Sequence, residues 1–314
     1  MVQLPPQSED DSLAEGPEAE LEDVPVPEVL NRGQRIRRRI LKSTALLPAL
    51  FTVSHALCGF AAIHFATKEA IGQGGEKAMM NLTIACWLIV AAMVCDMLDG
   101  RLARMTRRTS DFGAQLDSLA DVVSFGVAPA VLMVRTVVKA LRDISGVADH
   151  AQYVTAERVV LCVAGIYVAC AVLRLARFNV ENEPDESAHM SFSGLPSPGA
   201  AAGIVALVLL LAHLLDQRWI AAGWLLYAAS VVLPAVTLAG GLLMVSRVRY
   251  PHLVNQYIRG KKPFNYLVKL VVVAVAAMLQ PLLTGAVLAV GYVLMGPTGA
   301  AWRAVRARTH RDAP

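Results

Sequence analysis

The chain is expected to fold as an all-α, polytopic transmembrane helical bundle of about eight spans, and three observations lead there. Of its 314 residues 55% are hydrophobic and only 17% charged, against about 25% charged in soluble domains. Several apolar runs exceed the roughly 18 residues that cross a bilayer. The arginines and lysines gather in clusters between these runs, as the positive-inside rule requires of alternate loops.

Residues 1–31, which include SEDDSLAEGPEAELEDVPVPE, are rich in Pro, Glu and Asp. With few large apolar side chains they cannot offset their ordering entropy, so a disordered acidic tail is expected. It lacks the basic start and apolar stretch of a cleaved signal peptide, leaving the first span as the targeting signal. A basic juxtamembrane segment, residues 32–44, carries Arg32, Arg35, Arg37, Arg38, Arg39 and Lys42. It places the N-terminus on the cytoplasmic side, and the same cluster suits anionic lipid heads.

The membrane domain is expected over residues 45–297. Ala45 to Ala66 leads out and Met79 to Met97 returns, bringing Arg101, Arg104, Arg107 and Arg108 to the cytoplasm. Ser118 to Leu141 leads out again, and Val159 to Leu175 returns to Arg174 and Arg177. Pro198 to Leu215 and Trp219 to Val245 form the next pair, ending at Arg247, Arg249, Arg259, Lys261 and Lys262. The last apolar region, Tyr266 to Met295, would be roughly 45 Å long as one helix, too long for a core of roughly 30 Å. Gln280-Pro281 at its middle suggests two short spans, returning Arg303, Arg306, Arg308 and Arg311 of a basic tail (residues 298–314) to the cytoplasm. The five cysteines (Cys58, Cys86, Cys95, Cys162 and Cys170) lie in apolar stretches without a C-x-x-C pair and read as packing residues.

Chemistry concentrates in CDMLDGRLARMTRRTSDFGAQLDSLADVVSFG, residues 95–126. On helices, Asp96 and Asp99 share one face and Asp117 and Asp121 another, so one turn can aim all four at one spot. Each aspartate at mid-membrane depth costs about 2.5 to 3.5 kcal/mol on insertion scales, and a bare cluster repels itself. Hard divalent cations, Mg²⁺ or Mn²⁺, relieve both problems, and two ions clamping a diphosphate suit the acid count. Gly100 and Gly113 allow a ligand close to the backbone, Ala103 leaves room, and Arg104 can neutralise phosphate oxygens.

The pattern Asp96-x2-Asp99-Gly100-x2-Ala103-Arg104-x8-Gly113-x3-Asp117-x3-Asp121 matches at eight positions over 26 residues. It resembles the signature of the CDP-alcohol phosphatidyltransferases. The resemblance implies that Asp96, Asp99 and Asp117 bind the metals and that Asp121 is the general base and a further metal ligand. It implies too that Gly100, Ala103, Arg104 and Gly113 contact the CDP group of a lipid donor.

Further segments resemble the serine-accepting branch of that family: LDSLADVVSFGVAPA (116–130), RLARFN (174–179), FSGLPSPGAAA (192–202), LMVSRVRYP (243–251) and GYVLMGP (291–297). The implied substrates are CDP-diacylglycerol and L-serine, among membrane lipids, in an enzyme of phospholipid biosynthesis that is commonly a homodimer. Arg174, Arg177 and Asn179 are candidates for the serine carboxylate or a lipid phosphate. Pro196 and Pro198 read as shaping a helix entry. Where the family pattern has Asn-x2-Cys-Gly, this chain has His55-Ala56-Leu57-Cys58-Gly59; His55 reads as a packing residue, with nothing nearby to complete a metal set.

Other acceptors (glycerol 3-phosphate, inositol, choline) and a membrane prenyltransferase are the competing enzyme readings. A cation transporter is disfavoured by arginines among the acids, which oppose cation conduction. The basic residues flank spans without interleaved aromatics, so no nucleic-acid partner is implied.

Overall fold

The structure is a computed structural model and describes residues 32–68, 75–106, 111–145, 150–181, 192–217, 221–250 and 264–311. The expected acidic tail, residues 1–31, lies outside the described residues. The chain divides into a short unit, Met1–Lys42, and a main unit, Ser43–Pro314. Of the first unit the structure describes helix from Arg32 onward.

Nine α-helices are described: α1 (Arg32–Thr67), α2 (Gly75–Thr106), α3 (Asp111–Asp121), α4 (Ala128–Ser145), α5 (His150–Glu181), α6 (Ser197–Gln217), α7 (Ala222–Val245), α8 (Phe264–Leu279) and α9 (Pro281–Arg311). A π-helical segment, Val122–Val127, joins α3 to α4 without a break. Two antiparallel two-residue strands, β1 (Phe192–Ser193) and β2 (Arg249–Tyr250), are the only strands among the described residues. The all-α expectation therefore holds.

Among the described residues seven spans are long and apolar enough to cross a membrane: Ala49–Thr67, Lys77–Leu102, Phe112–Ile144, Val154–Val180, Ser197–Gln217, Ala222–Val245 and Pro281–Gly299. The first six follow the six expected apolar runs to within a few residues. The break in the last region falls at Gln280, as expected. Helix α8 is the shorter eighth apolar helix; its 16 residues reach about 24 Å. The expected basic tail continues α9 as helix to Arg311.

Helix α1 buries Thr52, His55, Gly59, Ala62 and Ala66, a stripe of mostly small residues at alternating spacings of three and four. Helix α2 buries Leu82, Ala85, Ile89 and Ala92 in the same rhythm. On the outer face Leu57, Phe60, Trp87, Val94 and Met97 are exposed, as suits a surface solvated by lipid. The Phe112–Ile144 span is the most enclosed, and α4 lies among α5, α6 and α7.

The π-helical turn has specific ties. The Tyr167 hydroxyl donates to the Phe125 carbonyl at 2.9 Å, and the Ser124 hydroxyl donates to the His55 carbonyl at 3.0 Å. Gly59, one turn beyond His55, permits this approach: a β-carbon there would collide with Ser124. Tyr250 ties down α9, donating to the Val293 carbonyl at 2.9 Å while its ring occupies the space that a side chain at Gly296 would need. Burial, with Tyr292 beside it, pushes the Tyr250 phenol up to about 12, so it stays a donor well into alkaline conditions.

Candidate active site

The α2 stripe runs on from Ala92 into Asp96 and Asp99, so the rotation that buries Ile89 and Ala92 also turns both acids into the bundle. From α3, Asp117 and Asp121 face them one turn apart. One donor atom each from Asp96, Asp117, Asp121 and His55 lies within 4.8 Å of all the others. Asp99 is buried beside them within electrostatic reach of Asp117, and the Thr52 side chain hydrogen-bonds to it.

His55 corrects the sequence reading. Its imidazole is fully buried, its Nε2 is 4.0 Å from Asp121 Oδ1, and its ring lies 4.8 Å from that of Phe125. The residues that complete a ligand set with it come from α2 and α3, roughly 40 to 65 positions away. Its place on the α1 stripe, three residues after buried Thr52, was the available signal.

Both ring nitrogens of His55 and single oxygens of Asp99, Asp117 and Asp121 are buried without a hydrogen-bond partner. Buried polar atoms are ordinarily paired, and each orphan costs about 1–3 kcal/mol. Converging orphaned acceptors, mostly carboxylate oxygens, are what a divalent cation would satisfy, so the residues fit a metal.

Around this centre, Gly100 is exposed on α2, and among the described residues nothing beyond the helix's own backbone lies within 4 Å of where a β-carbon would sit. Ala103 and Arg104 belong to the last turn of α2, while their side chains lie outside the described ones. Gly113 is half-buried on α3. Arg174 is half-buried on α5; its Nη1 donates to Ser197 Oγ over 2.7 Å, and Asp121, Tyr167 and Tyr292 lie within electrostatic reach. Arg177 is half-buried, and exposed Asn179 donates from Nδ2 to Ser118 Oγ at 3.1 Å.

Several of the segments that resemble the serine-accepting branch in sequence also meet in space. Gly194, at φ 91°, donates its N–H to Val248, and Leu195 donates to Leu243. Phe192 pairs with Tyr250, and Gly199 lies where a side chain would collide with Tyr292. Ser197 starts α6 and reaches Arg174; Pro198 stands in the first turn, as expected of a helix entry.

Residues 45–236 match the family model described as CDP-alcohol phosphatidyltransferase. The chain belongs to the CDP-alcohol phosphatidyltransferase family. Among similar members is a CDP-diacylglycerol–serine O-phosphatidyltransferase of Helicobacter pylori, 34% identical over 209 residues, or 66% of this chain and 72% of the relative. One of Mycobacterium tuberculosis is 31% identical over 255 residues, 79% of this chain and 76% of its own. One of Bacillus subtilis is 30% identical over 207 residues, 66% of this chain and 90% of its own. The CDP-alcohol phosphatidyltransferase match spans α2, α3 and the acids they carry, so the family assignment and the convergent cluster concern the same part of the chain.

Proposed function

We propose that this integral membrane protein transfers the phosphatidyl group of CDP-diacylglycerol to the hydroxyl of L-serine, giving phosphatidylserine and CMP. The observation that carries this is the convergence of acids from α2 and α3 inside the family's signature. Serine is favoured by the names of the relatives and by the packing of the branch-like segments around Arg174.

In this reading Asp96, Asp99 and Asp117, with Asp121 as a further ligand, hold Mg²⁺ or Mn²⁺, two ions in the full site. Bound metal supplies neutralisation of the diphosphate and charge stabilisation at phosphorus. Asp121 takes the proton of the serine hydroxyl as its oxygen bonds to the lipid phosphoryl and the bridging bond to CMP breaks. Arg174 from α5 and Asp117 from its own helix lie within electrostatic reach of Asp121. Gly100, Ala103, Arg104 and Gly113 receive the CDP group. The open space beside Gly100 lets a diphosphate approach the α2 backbone. Arg174, Arg177 and Asn179 bind the serine carboxylate or a lipid phosphate.

Orientation follows from charge. The acids share their end of the bundle with His55, near the start of the Ala49–Thr67 span, and with Arg174, near the end of the Val154–Val180 span, where Arg177 also lies. The positive-inside rule makes this the cytoplasmic end, with both termini on that side. The domain organisation is read as an acidic tail, a basic juxtamembrane segment, a membrane domain over residues 45–297 and a basic C-terminal segment. The working unit is a homodimer.

CMP release by purified protein with CDP-diacylglycerol and Mn²⁺ or Mg²⁺, with and without L-serine, tests the reading. Serine-dependent release that Asp121→Asn abolishes is the expected result. Release with glycerol 3-phosphate or inositol but not serine would overturn the acceptor, and no release with any acceptor would overturn the reaction.

A further inference from the structure

We propose that the His55 imidazole is itself a ligand of a divalent metal held with Asp96, Asp117 and Asp121, making that position a mixed nitrogen–oxygen site that favours Mn²⁺ over Mg²⁺. The inference rests on the metal-dependent reading above and adds a residue that the acidic signature does not contain.

Geometry comes first. Ligands at about 2.0–2.3 Å from one metal stand between about 3 and 4.6 Å apart, depending on whether they are neighbours or opposite. The four donor atoms of His55, Asp96, Asp117 and Asp121 lie within 4.8 Å of one another. The widest spread thus exceeds the separation of opposite ligands by only about 0.2 Å, and His55 Nε2 and Asp121 Oδ1, at 4.0 Å, fall inside the range.

The second observation is independent of the acids. A histidine that merely packs in a bundle finds a partner for its ring N–H. His55 is 0% exposed, yet neither of its nitrogens has a hydrogen-bond partner. Its backbone is held by Ser124, its ring lies against Phe125, and Gly59 keeps α1 close to the π-helical segment. The ring is thus fixed in place and aimed at carboxylates.

Charge and softness give the metal preference. Asp96, Asp99, Asp117 and Asp121 already bring four carboxylates to the site; a neutral imidazole adds a donor without more repulsion. Carboxylate oxygens suit Mg²⁺ and Mn²⁺ alike, whereas imidazole nitrogen is a first-row transition-metal ligand that Mg²⁺ takes poorly.

The test is electron spin-echo envelope modulation on the full-length protein in detergent, with Mn²⁺ as the only added metal, with and without CDP-diacylglycerol. Wild type should show ¹⁴N coupling to bound Mn²⁺, replaced by ¹⁵N coupling when the seven histidines are ¹⁵N-labelled. His55→Gln should lose the coupling, weaken Mn²⁺ binding about tenfold and change Mg²⁺ binding by less than about threefold. The labelled wild type answers the question even where the variant folds poorly. Mn²⁺ that binds wild type and is lost in Asp117→Asn, with no histidine coupling, would overturn the role of His55 and leave the metal-dependent reading standing. The same coupling in His55→Gln would also overturn it. No Mn²⁺ binding by wild type in either condition would overturn both readings.

Discussion

The Ser124 hydroxyl, in the π-helical turn just after Asp121, donates to the backbone carbonyl of His55 across 3.0 Å, locking α1 to the segment that carries the acids. That bond forms because Gly59 has no side chain to hold Ser124 away. Gly59→Ala should therefore separate the two elements and cost about 1–3 kcal/mol, the range for overpacking a close contact. Thermal unfolding in detergent should show a lowered Tm, and Mn²⁺ affinity should fall with it. An unchanged Tm would mean that α1 moves freely at this point.

Metal removal should be reversible and visible in stability as well as activity. Chelation leaves the orphaned oxygens of Asp99, Asp117 and Asp121 without a cation. Mn²⁺ at a hundred times its Kd should restore about 2.7 kcal/mol. Asp117→Asn should lose most of that metal-dependent rise in Tm along with at least about a hundredfold in CMP release. A metal-dependent rise of full size in the variant would remove Asp117 from the ligand set.

The bundle and the four acids were legible in the sequence because both rest on local spacing. Apolar runs report span length, and the i, i+3 and i, i+4 pairs report a shared face. His55 was not legible as a cluster member, because which residue of α1 stands level with Asp121 depends on the register between helices. That register is set by Gly59 against Ser124 and by the Tyr167 bond to Phe125. The π-helical turn at VVSFGV was equally hidden, since its composition reads as ordinary helix and the Tyr167 hydroxyl that donates to its Phe125 carbonyl comes from α5, distant in sequence. The two-helix division at Gln280 and the shortness of α8 were both readable, from Pro281 and from the length of the last apolar region.

Arg174 separates two uses of positive charge. Its Nη1 is oriented by Ser197, and Asp121 lies within electrostatic reach. If it holds the serine carboxylate, Arg174→Lys should raise KM for serine at least about tenfold, since a lysine cannot reproduce a two-pronged contact. Ser197→Ala, which only frees the guanidinium, should raise it about threefold. A rise confined to KM for CDP-diacylglycerol would move Arg174 to the lipid phosphate.

Gly100 gives the sharpest separation of folding from function. It is exposed inside α2, and among the described residues nothing beyond the helix's own backbone lies within 4 Å of a β-carbon built there, so their packing does not require glycine. Alanine is the better helix former by about 0.8–1 kcal/mol, so Gly100→Ala should hold or raise the Tm. A methyl group would nevertheless occupy the space through which the CDP diphosphate approaches the backbone, and KM for CDP-diacylglycerol should rise about tenfold or more. Gly165, in α5, also has nothing within 4 Å of its would-be β-carbon and lies outside the acidic signature, so Gly165→Ala serves as the control. It should match the stability gain without the KM change. Should both variants keep full activity, the open space beside Gly100 is not where the donor binds; should Gly100→Ala alone lose activity while gaining stability, the glycine is there for the ligand.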